Sequence, residues 1–177
     1  WLCEYLTARR CDAEAALPVD FVASDDPASL LCEAWPPQPC FPAALTGLPG
    51  ITHFTYTKSD LRDLPSEIVR WNRLESLILR DNHIAEFPRV ILQLSNLSHL
   101  DLSGNPLHQL PEEMGAKLPE LSLFEAQQCP GLTKLPQSLL VRNRTLKIVL
   151  SYDLLNPVDG FRLKAHSNRK VSIWLTR

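Results

Sequence analysis

Two groups of side chains in this sequence have the spacing that chemistry requires. In "LSHLDLSGN", residues 97–105, His99 and Asp101 stand two apart. On a strand that spacing puts both on one face, where imidazole and carboxylate could act as an acid–base pair. The five cysteines, Cys3, Cys11, Cys32, Cys40 and Cys129, form the second group. Their odd count and the lack of any C-x-x-C pair argue against zinc. Cys3/Cys11 and Cys32/Cys40 are each eight apart, which leaves up to two local disulfides open beside the favoured reading of reduced thiols. Cys129 is the one thiol that could be considered as a nucleophile. No phosphate-cradling glycine loop and no H-E-x-x-H occurs, and the chain has only six glycines. The expectation is a non-enzyme without cofactor or metal.

Composition narrows the class further. The 177 residues are 45% apolar and 21% charged, enough to bury a sizeable core, and the net charge is −2. That balance gives no reason to expect nucleic acid or an anionic membrane as partner. No apolar run approaches the ~18 residues of a membrane span. The first residue is Trp1, so a fragment or processed chain is expected. Two glycosylation-type triplets, Asn96-Leu-Ser98 and Asn143-Arg-Thr145, point weakly toward secretion.

The elements that position these residues emerge from self-comparison. Residues 51–73, 74–96, 97–120 and 121–145 align as four copies at a period of about 23. Their apolar positions form columns: Ile51, Leu74, Leu97, Leu121; Phe54, Leu77, Leu100, Phe124; Tyr56, Leu79, Leu102, Ala126; and Leu61, Ile84, Leu107, Leu132. A small polar residue recurs at Ser59, Asn82, Asn105 and Cys129, and a Leu-Pro element at Leu64-Pro65, Phe87-Pro88, Leu110-Pro111 and Leu135-Pro136. Partial copies extend the array to 41–153, through Phe41-Pro42, Leu45 and Leu48 before it and "LKIVLSYD" after it.

This pattern, L-x-x-L-x-L-x-x-[N/C]-x-L, resembles leucine-rich repeat proteins, and an α/β solenoid is implied. Each copy then supplies a short strand with alternate residues inward, a turn, and a short outer helix opened by the proline. Asn at the turn satisfies backbone groups that have no ladder partner, and Cys129, in the same column, is a buried structural thiol. Helices are wider than strands, so the parallel sheet should line the concave side. His53 and His99 share a column two strands apart, about 10 Å at ~4.8 Å per strand, too far for one ion.

Both ends depart from the repeat. Residues 1–40 are expected to form a helical cap, with a helix over about 27–35 in "SDDPASLLCEAW" and another in "WLCEYLTARR". Residues 154–177 hold Arg162, Lys164, Arg169, Lys170 and Arg177 against Asp159. They form a C-terminal cap or the start of a further domain, with "VSIWL" as a strand.

The outward strand positions are free of any packing demand. They read His53, Thr55, Thr57; Ser76, Ile78, Arg80; His99, Asp101, Ser103; Leu123, Glu125, Gln127; and Ile148, Leu150, Tyr152. The gradient from polar to charged to apolar suits a protein contact. The expected function is recognition of a partner protein on the concave face by a chain that is monomeric on its own. Two alternatives stand beside it: substrate recruitment for a larger enzyme, such as a ubiquitin ligase or kinase, and an assembly spacer. The ~23-residue Leu-Pro repeats are similar to the cytosolic type found in Ras-pathway scaffolds, plant immune receptors and bacterial effectors. That resemblance implies a cytoplasmic location, including that of a secreted effector in a host cytoplasm.

Overall fold

The computed structural model describes residues 28–33, 41, 43–141, 144–151 and 170–176. Seven parallel strands form one sheet in strictly sequential order: β1 (Ser29–Glu33), β2 (His53–Thr57), β3 (Ser76–Ile78), β4 (His99–Asp101), β5 (Leu123–Ala126), β6 (Leu146–Ser151) and β7 (Val171–Thr176). Between the strands the chain makes short helical turns. These are 3-10 at Ala43–Gly47, Ser66–Arg70 and Arg89–Gln93, then α-helical at α1 (Met114–Lys117) and α2 (Gln137–Leu140). Pro65, Pro88 and Pro136 are extended and immediately precede their turns. A proline there costs no helical hydrogen bond, since its missing N–H would lie unpaired in the first turn.

One core fills the space between strands and turns. The inward residues of successive strands stack in register, Leu30 on Phe54, Leu77, Leu100, Phe124 and Ile148. Beneath them lie Ile68, Ile91, Met114 and Leu139 from the turns, all fully buried. Near the N-terminal edge, Phe41, Phe54, Tyr56 and Trp71 form an aromatic cluster with centroids 4.9–6.2 Å apart. The Trp71 indole Nε1–H donates to Leu48 O at 3.1 Å, so the bulkiest core side chain leaves no polar atom unpaired.

The polar column does the work that its chemistry implies. Asn105, 1% exposed, donates from Nδ2 to Leu79 O, Leu102 O and Ser103 O, and its Oδ1 accepts the Ile84 N–H at 3.0 Å. Asn82 repeats the three donations one turn earlier, to Tyr56 O, Leu79 O and Arg80 O. Cys129 substitutes its thiol, donating to Leu102 O and Gln127 O. Just ahead of this column the chain passes through a left-handed residue in each turn: Lys58, Asp81, Gly104 and Gln128, with φ of 52–72°. Glycine suits 104, where φ is +72° and a Cβ would press on the Asp81 backbone at 3.1–3.2 Å as well as on its carboxylate.

Two expectations are corrected. The helix over 27–35 is replaced by β1, whose Leu30 and Cys32 pair with Phe54 and Tyr56. The acidic-Pro start signal is local, whereas the alternation of two buried residues completes a sheet, and tertiary packing prevails. Cys32 is a free buried thiol, in line with the favoured reading of reduced thiols, and Cys40 lies outside the described residues. On β6 the register pairs Leu123 with Lys147 and Phe124 with Ile148, so Ile148 and Leu150 face the core, 0% and 1% exposed. The opposite parity would have buried Lys147 and Ser151, and an unpaired ammonium in a core is prohibitively costly. The expected "VSIWL" strand is β7, paired along its whole length with β6. The N-terminal helix and the Cys3/Cys11 pairing lie outside the described residues, as does Tyr152.

Candidate binding face

The outward face of the sheet presents side chains in columns. The first column runs Ser29, His53, Ser76, His99, Leu123, Lys147, Ser172. The second runs Leu31, Thr55, Ile78, Asp101, Glu125, Val149, Trp174. Beyond the shorter strands the ladder continues through Lys58 N–H to Arg80 O, Asp81 N–H to Ser103 O and Gly104 N–H to Gln127 O, which carries Thr57, Arg80, Ser103 and Gln127 along the same edge. Twelve of the fifteen expected outward positions, all but Ile148, Leu150 and Tyr152, lie along this face and differ in exposure.

His53 and Arg80 are exposed, and Thr55, Ile78, His99, Leu123, Glu125 and Gln127 are half-buried. Thr57, Ser76, Asp101 and Ser103 are buried by their neighbours although they do not point into the main core.

At the centre, Arg80 forks across two strands. Its Nε donates to Asp101 Oδ2, and its NH2 to Glu125 Oε2 at 2.6 Å. Asp101 is only 1% exposed, and its second oxygen accepts the Ser103 N–H at 2.9 Å. A buried carboxylate requires such pairing, since removing one partner of a buried ion pair strands the other charge. Burial opposes the charged guanidinium, but the two carboxylates outweigh it and hold the Arg80 pKa above its ordinary value. The His99–Asp101 acid–base pair that the spacing allowed is not made: His99 Nδ1 lies 3.4 Å from Ser76 Oγ, and Asp101 is bonded to Arg80 and Ser103.

Of the apolar residues expected at the C-terminal end, Leu123 lies on this face while Ile148 and Leu150 face the core. Trp174 is 58% exposed, and Lys147 Nζ sits 4.9 Å above its ring, a cation–π contact. Val149 and Leu123 complete this end. Lys147, Val149 and Trp174 escaped the sequence reading because it placed the outward positions of β6 one residue out and read β7 as a cap or the start of a further domain, not as part of this face. The signal that could have found them was Lys147 itself, which must face solvent.

The candidate nucleophile is inert. Burial pushes the Cys129 thiol up to about 11 and Cys32 to about 12, and both side chains are shielded from solvent.

A family model described as "Leucine rich repeat" matches residues 72–130, within an array whose columns, Asn ladder and parallel sheet have just been traced. The chain is a leucine-rich repeat protein. Among curated proteins it is similar to Toll-like receptor 2 of Equus caballus, 33% identical over 92 residues, 49% of this chain and 12% of the receptor. Among solved structures it resembles the plant peptide hormone receptor RGFR1 in complex with RGF2, at 29% identity and TM-score 0.51 over 66% of this chain and 22% of the other. The Arabidopsis receptor kinase HAESA, solved with the peptide hormone IDA and the co-receptor SERK1, shares the fold at 19% identity and TM-score 0.63. That match covers 96% of this leucine-rich repeat chain and 29% of the other. The chain thus spans about a tenth of the curated receptor and less than a third of either plant protein. Among the described residues no helix is long and apolar enough to cross a membrane.

Proposed function

We propose that this leucine-rich repeat chain is a protein-recognition module that docks a partner protein or peptide on the concave, outward face of its sheet. The observation that carries this reading is the grading of that face. It passes from His53 and Thr55 through the Arg80–Asp101–Glu125 fork to the exposed Trp174 beside Lys147. Nothing in the stacking of the turns demands an exposed indole, and aromatic and Arg anchors contribute most of the energy in protein contacts. Solved structures of similar fold carry peptide partners in their descriptions, which supports the reading. Two buried free thiols accord with work in a reducing cytoplasm.

The test compares partner capture by the wild type with Arg80→Glu and Trp174→Asp, singly and together, at unchanged circular dichroism. Arg70→Glu, on an outer turn, is the control. Partners lost only with the face variants, and rebound by the purified wild type, support the module. Equal capture by all proteins places the contact elsewhere. A second reading, recruitment of substrates for a catalytic domain on the same polypeptide, is favoured by how little of its relatives the chain spans. A full-length transcript encoding only repeats would end it.

A further inference from the structure

We propose that His99, Asp101 and Glu125 form a site for one divalent transition-metal ion of the zinc class, over which Arg80 is a displaceable cover. The potential ligand atoms of these three residues all lie within 4.8 Å of one another. Two ligands of one ion at about 2.0–2.2 Å stand at most about 4.4 Å apart, so small rotamer changes close the set. One imidazole and two carboxylates suit zinc or manganese better than calcium, which takes six or more oxygens.

Independent of that proximity, His99 Nε2 is shut off from solvent and has no hydrogen-bond partner among the described residues. When Nδ1–H donates to Ser76 Oγ, Nε2 carries the lone pair, which is the tautomer a metal ligand needs. The Ser103 N–H steadies Asp101 in the same way, from outside the ligand set. Arg80 shows that the two carboxylates require a cation, and it supplies one from a half-exposed side chain able to swing into solvent. A metal ion would meet both carboxylates and also the imidazole lone pair that the guanidinium leaves unmet. The inference stands on this geometry and does not depend on the docking reading.

The test is calorimetric titration of the full chain with Zn2+ alone, free of any partner protein. One ion per chain is expected. Arg80→Ala should bind tighter, because the competing guanidinium is gone, and Ser76→Ala weaker by about tenfold, as for other outer-sphere partners. His99→Ala should abolish the site, with His99→Gln as the second variant should the first fail to fold. Co2+ should give a visible spectrum lacking thiolate charge-transfer bands. No binding by either wild type or Arg80→Ala overturns the proposal, as does binding unchanged in both His99 variants or a thiolate spectrum.

Discussion

Replacing Asn105 by Ala should be among the most damaging single changes in the molecule. Four bonds would go: three donations from Nδ2, at 2.8, 2.9 and 3.3 Å, and the acceptance of the Ile84 N–H at 3.0 Å. They are not equal losses. Leu79 O keeps Asn82 Nδ2 at 3.1 Å, Leu102 O keeps the Cys129 thiol, and Ser103 O keeps the Asp81 N–H. Ile84 N–H has no such replacement, and an orphaned buried donor costs roughly 1–3 kcal/mol. Two short bonds lost to partly satisfied carbonyls add about 1 kcal/mol each, for a total of roughly 3–5 kcal/mol. With a urea m-value of about 2 kcal/mol/M, the unfolding midpoint should fall by about 1.5–2.5 M. Asn82→Ala provides the internal comparison, since Asn82 Oδ1 has no partner among the described residues and no donor is orphaned with it. Urea titrations followed by circular dichroism measure all variants at once. If Asn105→Ala cost no more than Asn82→Ala, or under 1 kcal/mol, the turn backbone would not depend on this side chain, and the account of the polar column would fail.

Other outcomes follow from the same structure. Leu150→Ala should destabilise by about 2–5 kcal/mol as a core truncation, whereas Trp174→Ala should change stability by about 0.5 kcal/mol or less; similar costs in denaturant titrations would reverse the β6 parity. Gly115→Ala should destabilise by about 1–3 kcal/mol, because its Cβ would meet Ser138 O at 2.1 Å where α1 stacks on α2, and a thermal melt no lower than wild type would refute that contact. Cys32 and Cys129 should resist a thiol reagent at pH 8 until urea is added. Their pKa values in the fold, about 12 and about 11, lie above the ordinary 9.0. The unfolded thiols therefore ionise first, and stability present below pH 9 should fall as pH rises toward 11–12; a stability flat across that window in both Cys→Ala variants and wild type would contradict it.

Much of this was legible because stacked turns repeat the same physical demand. Leucine, asparagine and proline recur in columns, so each inward position from Ile51 to Leu132 is read several times over. Legibility ended where a demand was made only once. Residues 29–33 carry just two inward side chains, Leu30 and Cys32, behind a Pro-acidic stretch that imitates a helix start. In "LKIVLS" apolar residues occupy both parities, and only Lys147 discriminates between them. The repeat alignment set Arg80 beside Asp101 and Glu125 on the outward face, where the fork is found, whereas Trp174 lay beyond the recognised array. The proximity of His99 to Glu125 is a cross-strand fact, invisible to spacing along the chain.

The sequential order of the sheet has a bearing on how such a molecule can change over generations. Each turn touches mainly the one before and the one after, so gain or loss of a whole turn leaves every remaining side chain on its own side. A one-residue slip of a strand against its neighbour does the reverse. It inverts everything on the next strand, as the choice between Lys147 and Ile148 illustrates. New surfaces are therefore most readily produced by copying or deleting complete coils, while an extra residue is absorbed in a turn, as the spacing of 23 from Ser76 to His99 and 24 from His99 to Leu123 shows.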